Sequence, residues 1–272
     1  MTNCELLTVM VGGMATVAGG VMAAYIQILS QSFADVMGLS INDAQLMFAT
    51  HLLGASVMAA PAGLVISKIL YPETEEAETK GTVKVNVEKS SSNVIEAAAT
   101  GASDGLKLAL NVGALLIAFI ALIALTNYML EGVGSIFGLN EMFINKFGKP
   151  LNLQLILGLV LQFLAFGIGV PWEGALQFGS LFGTKIVLNE FVAYFDMSTL
   201  ISTKELINEK TILMATYALC GFANFSSIAI QIGGISPLAP NRKSDLAKLG
   251  MKAVAGGALA TLMTATLAGI LF

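Results

Sequence analysis

The chain has 272 residues, of which 56% are hydrophobic and only 12% charged, with a mean hydropathy of +0.79, whereas ordinary soluble domains carry roughly 25% charged residues. Its long apolar stretches approach or exceed the roughly 20 residues of a membrane helix and lack the alternation of barrel strands, so the expected class is an all-α integral membrane protein, a polytopic helical bundle. A formal charge of -4 and a pI near 5.0 offer no basic face for nucleic acid.

Met1 to Leu7 lacks a basic leader, so no cleavable signal is expected there. Leu6 to Ser30 is apolar but carries Gly12-Gly13 and Gly19-Gly20 around Thr16. Such a segment either breaks as a helix, exposing backbone carbonyls, or packs closely through its small residues. Ala44 to Ser67 reads as an ordinary span that ends at Lys68 and Pro72. The only histidine, His51, lies inside it without a Cys, His or carboxylate cluster, and is read as a span residue with a local partner rather than a metal ligand. Glu73 to Ser92 is a polar, charged loop. Asn93 to Lys107 regains helical character, as an interfacial stretch ahead of a span at Leu108 to Leu130. Pro150 to Trp172 is long enough to cross but is read as not crossing, with Trp172 as an interfacial anchor. Cys4 and Cys220 are too few for a disulfide framework and are expected as free thiols.

The most informative segment is NEFVAY, Asn189 to Tyr194. A carboxylate at membrane depth is costly unless water, a partner or a ligand compensates it, so such residues usually face a solute pathway, and Glu190 is the leading functional candidate. Gly174 to Leu188 and Phe191 to Ile201 flank it as mainly apolar arms, each reaching only part way across a hydrocarbon core of about 30 Å. The expected element is a re-entrant hairpin over 173–205 with Asn189-Glu190 at its tip, irregular backbone that lipid tolerates only where protein buries it or it lines a cavity. The alternative is a structural acid paired with Lys185, five residues earlier, or with a helix end. Thr211 to Ile235 repeats the Gly-interrupted pattern, with GFANFSS at Gly221 to Ser227 and Gly233-Gly234 behind it. Two broken spans point to a transporter built from repeats, with the site where the breaks meet. Taken alone, Asn224, Ser226 and Ser227 also fit interhelical hydrogen bonding.

Five crossings are expected, ending with Ala253 to Phe272. They put 73–107 and the Arg242 to Lys252 loop on one side. Counted from Lys68, these regions hold nine of the 14 basic residues, namely Lys68, Lys80, Lys84, Lys89, Lys107, Arg242, Lys243, Lys248 and Lys252, so that side is expected to be cytoplasmic.

GGMATVAGGVMAAY (Gly12 to Tyr25), GVPWEGA (Gly169 to Ala175), NEFVAY, and ALCGFANFSSIAI (Ala218 to Ile230) followed by LAPNRKSDLAKLGMKAV resemble, in order, the C-terminal part of the concentrative nucleoside transporters. The resemblance covers essentially the whole chain. It implies a plasma (inner) membrane, multi-pass symporter of nucleosides driven by Na+ or H+, without a cofactor or catalytic residues, and a homotrimer. It implies that Glu190, Asn224 and Ser227 contact ribose, that Phe222 shapes the pocket, that Val21 contacts the nucleobase, and that Thr16 and Val17 help to coordinate the cation. Ser226 stays structural. In the family, a first hairpin with a Gln-Thr-Glu tip precedes the position of Met1, and no GQTE occurs in the 272 residues. The expectation is therefore transport that needs the missing N-terminal part. The alternatives are a non-transporting membrane fragment from a truncated or split gene and, far behind, an intramembrane hydrolase using Glu190 as base, for which no nucleophile or metal set is present.

Overall fold

The structure is a computed structural model that describes residues 1–77, 92–236 and 239–272. All regular structure in these residues is helical. The chain divides into two compact units, Met1–Ala77 with Gln154–Phe272, and Glu78–Leu153. The polar loop read over Glu73 to Ser92 lies largely outside the described residues.

In the first unit, α1 (Asn3–Ala15) and α2 (Gly19–Met37) follow one another across a break at 16–18. Thr2 and Glu5 form a capping box that starts α1, while Thr16 and Ala18 take extended conformations. The break therefore falls where the glycine pairs flank Thr16. Gly38 closes α2 in the left-handed conformation, φ 68°, and Ser40 caps α3 (Ile41–Leu70). The outward face of α3 carries Leu46, Leu53, Val57 and Leu64, each more than half exposed. In water such a face would be polar, so it is a surface suited to lipid or to other apolar segments.

After α6 (Leu153–Gly167) come α7 (Trp172–Val187) and α8 (Glu190–Ser202), a helical hairpin, and then α9 (Glu209–Leu219) and α10 (Phe225–Ile235), separated by a second break at 220–224. The close approach of α6 and α7 depends on glycine. A Cβ on Gly179 would stand 2.9 Å from the Gln162 nitrogen, and one on Gly183 would stand 2.6 Å from the Leu157 Cβ, the small-residue spacing that brings membrane helices together. The last helix, α11 (Lys243–Leu271), packs on α1, α3, α9 and α10 through a run of buried Gly, Ala and Thr residues. Gly257 lies where both breaks meet it: an added Cβ would be 2.9 Å from the Met14 Cβ and 3.0 Å from the Ala223 Cβ.

Three polar contacts gather one end of this unit. Arg242 donates to the Met1 carbonyl at 2.5 Å and to Asn3 Oδ1 at 2.8 Å, and the Thr2 hydroxyl donates to Glu73 Oε2 at 2.7 Å. The last bond is the main reason that the Glu73 carboxyl sits below the usual carboxylate range.

In the second unit, α4 runs from Val94 to Ile136 and α5 from Leu139 to Phe147. The sequence divides 93–130 into an interfacial stretch and a span. The structure instead makes one helix of 43 residues, about 64 Å long, because Asn93 caps it and no proline interrupts it. The pair Ile120–Ile136 and Leu139–Phe147 bends by 109°, at Gly138 with φ 65°. Asn140 fastens the bend by donating to the Glu131 carbonyl at 2.8 Å and the Ser135 hydroxyl at 2.9 Å.

Five crossings are expected from the sequence. Among the described residues, Asn3–Met37, Ile41–Leu70 and Pro240–Leu271 are each long and apolar enough to cross, with a fourth if the bent pair counts as one span. Thr211 to Asn241 is not among these; it forms two helices of 11 residues on either side of its break, about 17 Å each.

Candidate functional site

The hairpin turns at Leu188 and Asn189. Asn189 Oδ1 accepts from the Val192 amide at 2.9 Å, so Asn189 is the N-cap and Glu190 already the first residue of α8. The tip is thus one residue earlier than Asn189-Glu190. Glu190 is 4% exposed. Its Oε1 accepts from the Tyr25 hydroxyl at 2.9 Å and its Oε2 from Asn224 Nδ2 at 3.1 Å.

Asn224 is the N-cap of α10, and its Oδ1 accepts from the Ser227 amide at 2.9 Å, the Ser227 hydroxyl at 3.0 Å and the Ser226 hydroxyl at 2.7 Å. Ser226 therefore supports Asn224. Glu190, Asn224 and Ser227, named from the sequence, form one hydrogen-bonded cluster. Phe222, half-buried, lies just before Asn224, and Val21, also half-buried, lies one turn before Tyr25 on α2.

Thr16 and Val17 occupy the first break. The Thr16 hydroxyl donates to the Gly12 carbonyl at 3.0 Å and keeps its lone pairs. The carbonyls at the end of α1 have no partner within their own helix. The second break comes directly against this point. Gly221 has φ 142°, and a Cβ there would stand 2.7 Å from the Ala15 carbonyl oxygen. The two breaks meet, so backbone oxygens of one lie beside the turn that presents Asn224.

The ion pair between Lys185 and Glu190 is not made. Lys185, fully buried on α7, donates to the Ala218 carbonyl at 2.7 Å and to the Thr261 hydroxyl at 3.0 Å. It ties the hairpin to the last turn of α9 and to α11, where a cation offsets the negative helix end. On the other side, α8 is fastened to α2: Tyr25 and Tyr194 have ring centroids 4.3 Å apart, Ser198 donates to the Ile28 carbonyl at 3.0 Å, and Tyr194 donates to the Thr216 carbonyl of α9 at 2.8 Å.

His51 has a local partner, Tyr217, with Nδ1 3.4 Å from the hydroxyl. Both border a mainly apolar cavity of about 470 Å³ that Glu190 does not line. Cys4 and Cys220 are free and buried. Trp172 is half exposed beside Phe163 and Phe166.

Sequence reasoning missed Tyr25. The available signal was a tyrosine hydroxyl in a span of small and apolar residues, which needs a partner when buried, four positions after Val21 and hence on the same face.

The model of the family described as "Na+ dependent nucleoside transporter C-terminus" matches residues 51–269. An uncharacterized transporter of Bacillus subtilis, YutK, is 46% identical over 99% of this chain and 60% of its own length. The nucleoside permease NupC of Helicobacter pylori is 40% identical over 99% of this chain and 58% of its own. Solute carrier family 28 member 3 of Mus musculus is 39% identical over all of this chain and 37% of its own. Among solved structures, a variant of CNTnw in an intermediate state superposes with a TM-score of 0.80 at 42% identity, covering 99% of this chain and 59% of that one. CNTnw in an inward-facing substrate-bound state gives 0.77 at 42% identity, over 99% and 57%. The chain thus spans no more than about 60% of the length of these relatives. With helices long and apolar enough to span a membrane, two broken helices, a helical hairpin, and a family match over most of its length, the chain is a polytopic helical membrane protein that belongs to the Na+ dependent nucleoside transporter family, in its C-terminal part.

Proposed function

We propose that this chain serves cation-coupled secondary active transport of nucleosides across the plasma membrane. Glu190, Asn224 and Ser227 hold the ribose, Phe222 and Val21 border the rest of the substrate, and Thr16 and Val17 supply oxygens to the coupling ion, Na+ or H+. Residues 173–205 act as a re-entrant hairpin and 211–235 as a broken helix within one membrane domain over 1–272, assembled as a homotrimer.

The observation that carries this reading is the hydrogen-bonding capacity of the cluster. A carboxylate has about four acceptor sites, an amide nitrogen two donors, and a hydroxyl two acceptor lone pairs. Tyr25 takes one site on Oε1 of Glu190, and Asn224 spends one donor on Oε2. This leaves acceptor capacity on the carboxylate for the two hydroxyl donors of a vicinal diol, and one donor on Asn224 for a hydroxyl oxygen. The N-termini of α8 and α10 converge there, which favours oxygen-rich ligands. The nucleoside transporter family and the H. pylori nucleoside permease, to which the chain is similar, point the same way.

The test is uptake of radiolabelled uridine by bacterial cells lacking their own nucleoside uptake. They express either this chain or a chimera in which the part of the H. pylori permease ahead of the matched region precedes Met1. Accumulation driven by an inward Na+ or H+ gradient in either case supports the reading and identifies the ion. No accumulation in either, with the protein present in the membrane, sinks it.

A further inference from the structure

Tyr25 is not among the residues to which the sequence resemblance assigns a role, yet it makes the shorter of the two bonds to Glu190, 2.9 Å against 3.1 Å. It is fully buried. Its ring lies 4.3 Å from that of Tyr194, itself fixed to α9 through the Thr216 carbonyl, and 6.3 Å from that of Phe191. The hydroxyl is thus held in place from α2, while Asn224 Nδ2 is held from the cap of α10. The terminal torsion of a glutamate is broad and readily turned. Two fixed donors, one on each oxygen, set the plane of the carboxylate. With its plane set, the acceptor directions left on the two oxygens are fixed as well. A vicinal diol can use both, whereas a sugar lacking those hydroxyls uses neither.

We propose that Tyr25 is a positioning residue that gives the site its preference for a vicinal diol, by pinning Oε1 of Glu190 so that both carboxylate oxygens accept sugar hydroxyls at once. The proposal rests on the reading of Glu190 as the sugar-binding acid. It goes further in assigning the discrimination between ribosides and dideoxyribosides to a residue that need not touch the sugar.

The experiment compares equilibrium binding of tritiated uridine and 2′,3′-dideoxyuridine to the chain in lipid nanodiscs, and to the chimera, with thermal melting recorded for every variant. Tyr25→Phe keeps the ring and removes the donor. Uridine binding should weaken about tenfold, the loss of one hydrogen bond to a charged group, while dideoxyuridine binding changes less than twofold. Their ratio therefore collapses. Equal weakening of both ligands would mean that Tyr25 only supports the fold, and tighter uridine binding would mean that its hydroxyl merely occupies the sugar's place. Either overturns the proposal, as does unchanged uridine binding. Glu190→Asp, which draws the carboxylate back by one methylene and leaves the Tyr25 ring alone, should collapse the same ratio and carries the test if Tyr25→Phe does not fold. A retained ratio there overturns the proposal. If the unsubstituted protein does not distinguish the two ligands, the diol reading of Glu190 itself fails, whatever Tyr25 does.

Discussion

Glu190 and Asn224 stand 34 positions apart, each at the start of a short helix, and their side chains meet at 3.1 Å. Two helix N-termini, each equivalent to roughly half a positive charge, therefore converge on one buried carboxylate. Replacing that carboxylate by an amide keeps the shape and removes the charge. A hydrogen bond to a charged group is worth roughly 1.5–3 kcal/mol, and about 1.4 kcal/mol is tenfold in affinity. Glu190→Gln should thus weaken uridine binding by about 10- to 100-fold while expression and membrane insertion stay the same. An unchanged dissociation constant would remove Glu190 from the site.

Asn224 has two separable jobs. Its Oδ1 caps α10 through the Ser227 amide, and its Nδ2 holds Glu190. Asn224→Ser preserves a capping oxygen and loses the amide donor, whereas Asn224→Ala loses both, and a lost cap costs about 1 kcal/mol. Both variants should bind uridine at least fivefold more weakly, a rough figure for one lost hydrogen bond. Only Asn224→Ala should also melt several degrees lower. Equal melting of the two would show that the cap contributes nothing at this helix start.

The glycine pairs and GFANFSS made both breaks legible, and charge scarcity made the membrane class legible, because lipid leaves few options for backbone and charge. Glu190 stood out for the same reason. What could not be read were contacts between distant segments. The partner of Lys185 is a backbone carbonyl 33 positions away, and carbonyls leave no mark in a sequence. Tyr25 reaches Glu190 across 165 positions. The single long α4 was also missed, because polar residues near its start resemble an interfacial stretch although nothing among them stops a helix.

Lys185 offers a test of how the hairpin is docked. Its ammonium, fully buried, joins the Ala218 carbonyl and the Thr261 hydroxyl. Lys185→Met keeps most of the volume but strands the carbonyl, and a buried unpaired acceptor costs roughly 1–3 kcal/mol. Thr261→Val removes only one of the two acceptors and should cost less, about 1 kcal/mol or below. The expected order of melting temperatures in detergent is the unsubstituted protein, then Thr261→Val, then Lys185→Met. A Lys185→Met protein as stable as the original would mean that apolar packing replaces the ammonium at no loss, as happens at some buried ion pairs.

Gly221 is where the breaks touch. Its φ of 142° disfavours any side chain, and a Cβ would press on the Ala15 carbonyl at 2.7 Å. Gly221→Ala should cost about 1–3 kcal/mol from the backbone conformation alone, and should separate the Thr16 region from Asn224. Both stability and cation-dependent nucleoside binding should fall. Gly233→Ala, on α10 with nothing within 4 Å of the added carbon, is the matched control and should leave binding unchanged and stability equal or higher by about 0.5–1 kcal/mol. Equal behaviour of the two variants would argue that the contact between the breaks is incidental.

The clustering of Met1, Thr2 and Asn3 with Glu73 and Arg242 bears on orientation. Residues at the start of α1, after α3 and before α11 share one end of the first unit, so they must lie on the same side of the bilayer. The positive-inside tendency of the basic residues around Arg242 predicts that this side is the cytoplasmic one. With Cys4 and Cys220 replaced by serine, Glu75→Cys and Ser244→Cys can be probed with a membrane-impermeant maleimide, since both positions are exposed. Neither should label in intact cells, and both should label once the membrane is opened. Labelling of both from outside reverses the orientation but keeps the shared end. Labelling of only one would contradict the contacts of Arg242 and Thr2, because no arrangement of intact spans could place bonded groups on opposite faces of a bilayer.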